Sequence, residues 1–154
     1  MALKKIVTRQ YQAVVQQALN STAELPLPPE GWICTVRKAL NMSGAQLARR
    51  LKATRAWVHR TEKAELAGGV TLNTMKNMAD AMGCRFVYAI VPNGSIDDLV
   101  FTQARKKAVA LVKKTSTQMA LEAQTLSDDQ IHYEIDRLTR EVAENMPSDF
   151  WDDQ

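Results

Sequence analysis

The chain has 154 residues, 45% apolar and 24% charged, with a formal net charge of +3. That size holds one ordinary domain, or a small domain with added helices, and the composition excludes a disordered or collagen-like chain. Cys34 and Cys84 stand in no CxxC or His-rich setting, which excludes a disulfide scaffold and a metal cluster; each is expected as a small buried residue in a reducing cytoplasm.

The N-terminal "MALKKIVTRQYQAVVQQALN" has no unbroken apolar core behind its lysines and is not expected to be a signal peptide. Its Leu3, Ile6, Val7, Tyr11, Val14, Val15, Ala18 and Leu19 instead mark an amphipathic helix over 2–20. "STAELPLPPEG" breaks it into an extended linker. Four short helices are expected next. The first, about 31–41, carries Trp32, Ile33, Val36 and Leu40. The second follows the cap residue Ser43 and buries Leu47, Ala48 and Leu51. The third starts at Thr54 and runs to about Ala64. The fourth, after Thr71, has a core stripe of Leu72, Met75, Met78, Ala79 and Met82 and is ended by Gly83.

"CRFVYAIVP" changes period and reads as a strand over 84–91. It contains the longest apolar run, "FVYAIV", too short to cross a bilayer, so a cytoplasmic chain with no membrane partner is expected. No second strand is evident. Arg85, Phe86, Val87, Tyr88, Ala89 and Ile90 are therefore expected to pair with the same strand of a second copy in a homodimer; pairing with the linker is the alternative. A long helix is expected over 95–125, with Ile96, Leu99, Val100, Ala104, Ala108, Leu111, Val112 and Met119 on one face. A last helix begins with a Ser127/Gln130 capping box and continues the stripe through Ile131, Ile135, Leu138 and Val142. The tail "SDFWDDQ" offers Phe150 and Trp151 as weak candidate anchors for a partner, unless Trp151 folds back on its own helices. The segments are thus an N-terminal helix (1–25), a central domain (26–94) and a C-terminal helical extension with an acidic tail (95–154).

Charge is unevenly placed. Arg37 to Lys63 holds eight Lys/Arg against Glu62 alone, whereas Leu121 to Gln154 holds ten Asp/Glu against Arg137 and Arg140. The basic centre suits phosphate; the acidic end would be repelled by it and suits a protein partner, or is a solvated helix face. Within the basic centre, Ala48 lets one short helix cross closely over another while Val58 plugs the junction, a helix-turn-helix arrangement. Arg49, Arg50 and Lys52 would then lie along phosphate, and the helix after Thr54 would enter the major groove. Trp57 fits either the core or the groove wall. His59 and His132 stand in different segments, and no nucleophile–base spacing, phosphate loop or metal motif is present. Neither an enzyme nor a cofactor is expected.

"SGAQLARRLKATRAWVHRTEKAE" resembles the helix-turn-helix of Cro/C1-type (xenobiotic-response-element) repressors. "LPPEGWICTVRKALNMSGAQLARRL", "GVTLNTMKNMADAMGCRFVYAIVP" and the terminal "FWDD" resemble the family called mobile mystery protein A, over about 25–153. The resemblance implies a mainly α, lambda-repressor-like domain of five helices with added helices. It also implies a sequence-specific repressor of double-stranded DNA with an inverted-repeat operator, acting as antitoxin and autoregulator beside a Fic-domain toxin. Arg55, Ala56 and Arg60 match positions that read base edges, Trp57 and His59 positions near the groove wall, and Ser43 and Thr54 capping positions at the phosphates. Three residues depart from the repressor pattern: Gly44 replaces a phosphate-contacting glutamine, Lys52 a turn glycine, and Thr61 a core aliphatic. Two rival readings are a protein-sequestering module with weak DNA binding and a stand-alone phage-type or host regulator. Some Fic enzymes are inhibited by a Ser/Thr-x-x-x-Glu-Gly/Asn helix, which this chain lacks, since Thr61 and Glu65 are followed by Leu66.

Overall fold

Five of the helices begin in the same way: Ser43, Thr54, Thr71, Ser95 and Ser127 each accept a hydrogen bond from the backbone N–H three residues on. Each cap satisfies one of the donors that a helix leaves unpaired at its start. A computed structural model describes residues 2–122 and 125–153, and the protein is mainly helical. The helices are α1 (Ala2–Thr22), α2 (Trp32–Ala39), α3 (Gly44–Arg50), α4 (Arg55–Leu66), α5 (Leu72–Ala81), α6 (Ile96–Leu121) and α7 (Asp128–Asn145).

The four short helices also end alike. Asn41, Lys52, Gly68 and Gly83 all have positive φ. In each case the following N–H reaches back into the last turn: Met42 to Arg37 O, Ala53 to Ala48 O, Gly69 to Ala64 O, and Cys84 to Ala79 O. These are Schellman closures, which turn the chain sharply enough to pack short helices on one another.

The chain divides into two units, Ser21–Ala89 and a second made of Met1–Asn20 with Ile90–Gln154. In the first, Ile33, Leu47, Ala48, Val58, Met78 and Met82 form the core, with Val36, Met42, Leu51, Trp57 and Met75 against it. In the second, α6 packs along α7, burying Val100, Ala104, Ala108 and Val112 at four-residue spacing. Phe150 seals one end of that pair with Val142, Ala143 and Met146.

Several expectations change. No strand forms among the described residues: Arg85, Phe86, Val87, Tyr88, Ala89 and Ile90 make no backbone hydrogen bond, because the chain supplies no second strand to pair with. Phe86 and Tyr88 stack on each other at 5.9 Å, and Val87, Tyr88 and Ile90 are exposed. Cys84 is exposed rather than buried, lying just past the closure of α5, and Cys34 is half-buried. Leu40, Leu72, Leu99 and Leu111 lie at the edges of their stripes and remain exposed. The long helix ends at Leu121 rather than 125; residues 123 and 124 of that expectation lie outside the described residues. α1 buries none of its residues. The tail aromatics separate: Phe150 is 1% exposed and is core, not a partner anchor, whereas Trp151 stays exposed with its ring edge-on to Phe150 at 4.8 Å.

Candidate nucleic-acid interface

α3 and α4 meet through Leu47, Ala48 and Val58, all buried, with the four residues Leu51–Thr54 between them. α3 starts with a full capping box: Ser43 Oγ accepts from Gln46 N–H, and Ser43 N–H donates to Gln46 Oε1 at 2.7 Å. The Thr54 hydroxyl likewise accepts from Trp57 N–H at 3.1 Å, fixing the first turn of α4. Both side chains are spent on the helix ends and keep only their hydroxyl protons for a phosphate. Lys52 takes the left-handed conformation that the turn requires, φ 53°, at a cost of about 1 kcal/mol for a residue with a Cβ.

The charges of α4 are sorted by face. Arg55, Ala56, His59, Arg60 and Lys63 are exposed along one side. None of Arg55, His59, Arg60 or Lys63 has a side-chain hydrogen bond or ion pair among the described residues. Arg49 and Lys52 on the neighbouring elements are equally exposed and unpaired. The acidic residues of α4 point the other way. Glu62 is buried and takes a two-pronged contact from Arg37, Nε to Oε1 at 2.6 Å and Nη2 to Oε2 at 3.2 Å. Arg37 Nη1 also donates to Met42 O at 3.0 Å, and its hydrogen bond with Glu62 raises the guanidinium pKa above its ordinary value. Glu65 accepts from the N–H groups of Trp32 at 2.7 Å and Ile33 at 3.0 Å, capping α2 from across the unit. Gly31, φ 83°, makes room for this carboxylate, since a Cβ there would lie 2.8 Å from Glu65 Oε2.

Two sequence candidates take structural positions. Arg50 Nη1 donates to Ala81 O at 3.1 Å, so it ties α3 to the C-terminal end of α5 rather than hanging free for phosphate. Trp57 is half-buried against the core, between its two expected settings. Thr61, the polar residue at an aliphatic position, is buried with its hydroxyl donating to Trp57 O at 2.8 Å, so it is packed and satisfied. Arg55, Ala56 and Arg60 share the exposed face, and Gly44 lies against it, 3.8 Å from Arg55 Cγ as measured from the Cβ it lacks.

Sequence reasoning missed the holding residues Arg37, Glu62 and Glu65. The available signal was that Glu62 is the lone acid in an otherwise basic run, on the same helical side as Val58 and Glu65. In the other unit, two acids of the tail are held by α6: Asp153 pairs with Lys106, and Asp149 lies 3.8 Å from Lys107. No group of His, Cys, Asp and Glu among the described residues has a metal-holding arrangement, and no described helix is long and apolar enough to cross a membrane. No protein-family model, curated protein or solved structure matches the chain.

Proposed function

We propose that this protein is a homodimeric, sequence-specific DNA-binding repressor in which α3 and α4 form a helix-turn-helix and α4 enters the major groove. The sorting of charge on α4 carries this reading. Its cations are exposed and unpaired, while both its carboxylates are turned inward and bound. No Lys or Arg of α4 stands three or four residues from Glu62 or Glu65, so the helix offers its cations no carboxylate partner of its own. They are left to meet phosphate and base edges.

In this reading Arg55, at the first turn, and Arg60, one turn on, address base edges, with Arg55 suited to a two-pronged contact to guanine. Ala56 leaves room for close approach, and His59 and the exposed edge of Trp57 line the groove wall. Arg49, Lys52, Ser43 and Thr54 lie at the phosphates. The unpaired backbone of 85–90 supports a ribbon between two copies, which sets two reading helices across a twofold axis. The resemblance to mobile mystery protein A extends the reading to an antitoxin that represses its own operon with a Fic-domain toxin. The acidic α7 and exposed Trp151 are the surfaces suited to such a basic protein partner.

The test is duplex binding across a salt series. Association should weaken steeply as salt rises, with a log–log slope near −0.9 per phosphate neutralised. Arg55→Ala and Arg60→Ala should weaken a selected site more than random duplex. A chain that binds no duplex at low salt leaves the rival reading, a protein-sequestering module.

A further inference from the structure

The first half of α1 is inside out with respect to its own unit. The side that faces α6 and α7 is polar: Lys5, Thr8 and Gln12 line a cleft of about 1060 Å³ opposite Asp97, Phe101 and Asn145. It is held there by polar bonds, Lys5 Nζ to Asn145 Oδ1 at 3.3 Å and Ile96 N–H to Gln16 Oε1 at 3.4 Å. The apolar residues of this half point away, whereas Val15, Ala18 and Leu19 further along the helix are half-buried. Leu3 is 74% exposed, Tyr11 71% and Val14 65%, with Ile6 and Val7 also exposed beside them. A helix that buries no residue is marginal in water, and an apolar stripe of this width is how a helix meets a partner.

We propose that this stripe packs antiparallel against the same stripe of a second copy of the chain. Leu3, Val7, Gln10 and Val14 recur at spacings of four, three and four, the seam of paired helices, and a single polar residue within such a seam sets register. The stripe is complementary to its own reverse. With its centre between Thr8 and Arg9, Leu3 meets Val14, Ile6 meets Tyr11, and Val7 meets Gln10 of the second copy.

Charge selects the same orientation. α1 carries Lys4, Lys5 and Arg9 in its first half and no carboxylate anywhere. Parallel pairing would set all three cations beside their copies, whereas antiparallel pairing sets Lys4 opposite Ala13 and Lys5 opposite Gln12, leaving only Arg9 near its own copy at the centre. Five apolar side chains per helix bury roughly 1,000 Å² in such a pair, near the lower bound of a specific interface. The contact therefore supports a dimer that other contacts reinforce, and it stands whether or not the protein binds DNA.

The experiment is sedimentation equilibrium of the full chain without DNA, at micromolar concentrations, with helix content followed by circular dichroism. An acidic variant, Leu3→Glu with Val14→Glu, and a basic variant, Leu3→Lys with Val14→Lys, should each self-associate at least tenfold more weakly than the unaltered protein. Mixing the two should restore association, because each glutamate then faces a lysine; a folding failure would not be rescued in this way. A monomeric unaltered protein, variants that associate as it does, or a mixture no stronger than its components would each overturn the proposal.

Discussion

Arg37 of α2 and Glu62 of α4 meet through two hydrogen bonds, of 2.6 and 3.2 Å, across 25 positions of sequence. Their side chains are 15% and 10% exposed, so the pair is largely withdrawn from water. Removing one partner strands the other: Arg37→Met should destabilise the protein by roughly 3 kcal/mol. The double variant Arg37→Met with Glu62→Leu should recover much of that loss. Urea unfolding of the three proteins checks this, and equal losses in single and double variants would mean the pair itself contributes the stability.

Glu65 makes the second tie between α4 and α2, and Gly31 is its counterpart. Gly31→Ala faces two penalties, a left-handed φ of 83° and a Cβ 2.8 Å from Glu65 Oε2. A loss of about 1–2 kcal/mol is expected, read as a lower Tm. An unchanged Tm would show that the carboxylate moves aside at no cost.

Lys52 separates stability from binding. Lys52→Gly removes the strain of φ 53°, about 1 kcal/mol, and the entropy a glycine adds to the unfolded chain offsets roughly half of it, leaving a net gain of about 0.5 kcal/mol. The same change removes one cation from the proposed phosphate contacts, so the salt slope of DNA binding should fall by about 1. A more stable protein with an unaltered slope would place Lys52 outside the DNA contacts.

The caps make the helices legible: Ser43, Thr54, Thr71 and Ser127 are readable from sequence and each performs that role, and Ser95 adds a fifth cap that the structure reveals. Periodicity found the apolar face of α1 but not its destination, since a 3.6-residue period says which face is apolar and nothing about what covers it. The composition of 84–91 favours a strand, yet a strand needs a partner and the chain holds none. Thr139 is fully buried on α7 although its type suggests surface; its hydroxyl donates to Ile135 O at 2.6 Å, which satisfies it without a tertiary partner. Phe150 and Trp151 are adjacent and alike in sequence, and only the turn after Pro147 decides which enters the core. At the candidate interface the exposed cations were readable, because charge runs survive without tertiary information. The ties that hold α4 were not, because Arg37, Glu62 and Glu65 come together only once α2 and α4 are packed.

The two tail aromatics should therefore behave oppositely. Phe150→Ala should cost about 3–5 kcal/mol by opening a cavity between α6 and α7, while Trp151→Ala should leave unfolding nearly unchanged. If Trp151 serves a protein partner, its loss appears in binding to that partner and not in stability. Comparable destabilisation by both would place Trp151 in the same packed cluster.

Val87→Pro should act on site choice. A proline there removes a backbone donor from the proposed ribbon, so preference for an inverted repeat over a single half-site should drop at least tenfold. Binding to the half-site itself should persist, because α4 is untouched. A preserved preference would assign the twofold axis to other contacts, with the stripe of α1 the first to examine.

The most direct measurement is selection of binding sequences from a random duplex library by the full chain, followed by affinity comparison of the winner with Arg55→Ala. The enriched site should be an inverted repeat with half-site centres about 34–36 Å apart, one helical turn. Arg55→Ala should bind it roughly 5–150-fold more weakly, the equivalent of ~1–3 kcal/mol, with little change on random duplex. A library that returns no enriched sequence, or an Arg55→Ala protein weakened equally on every duplex, would contradict α4 as the element that reads the DNA.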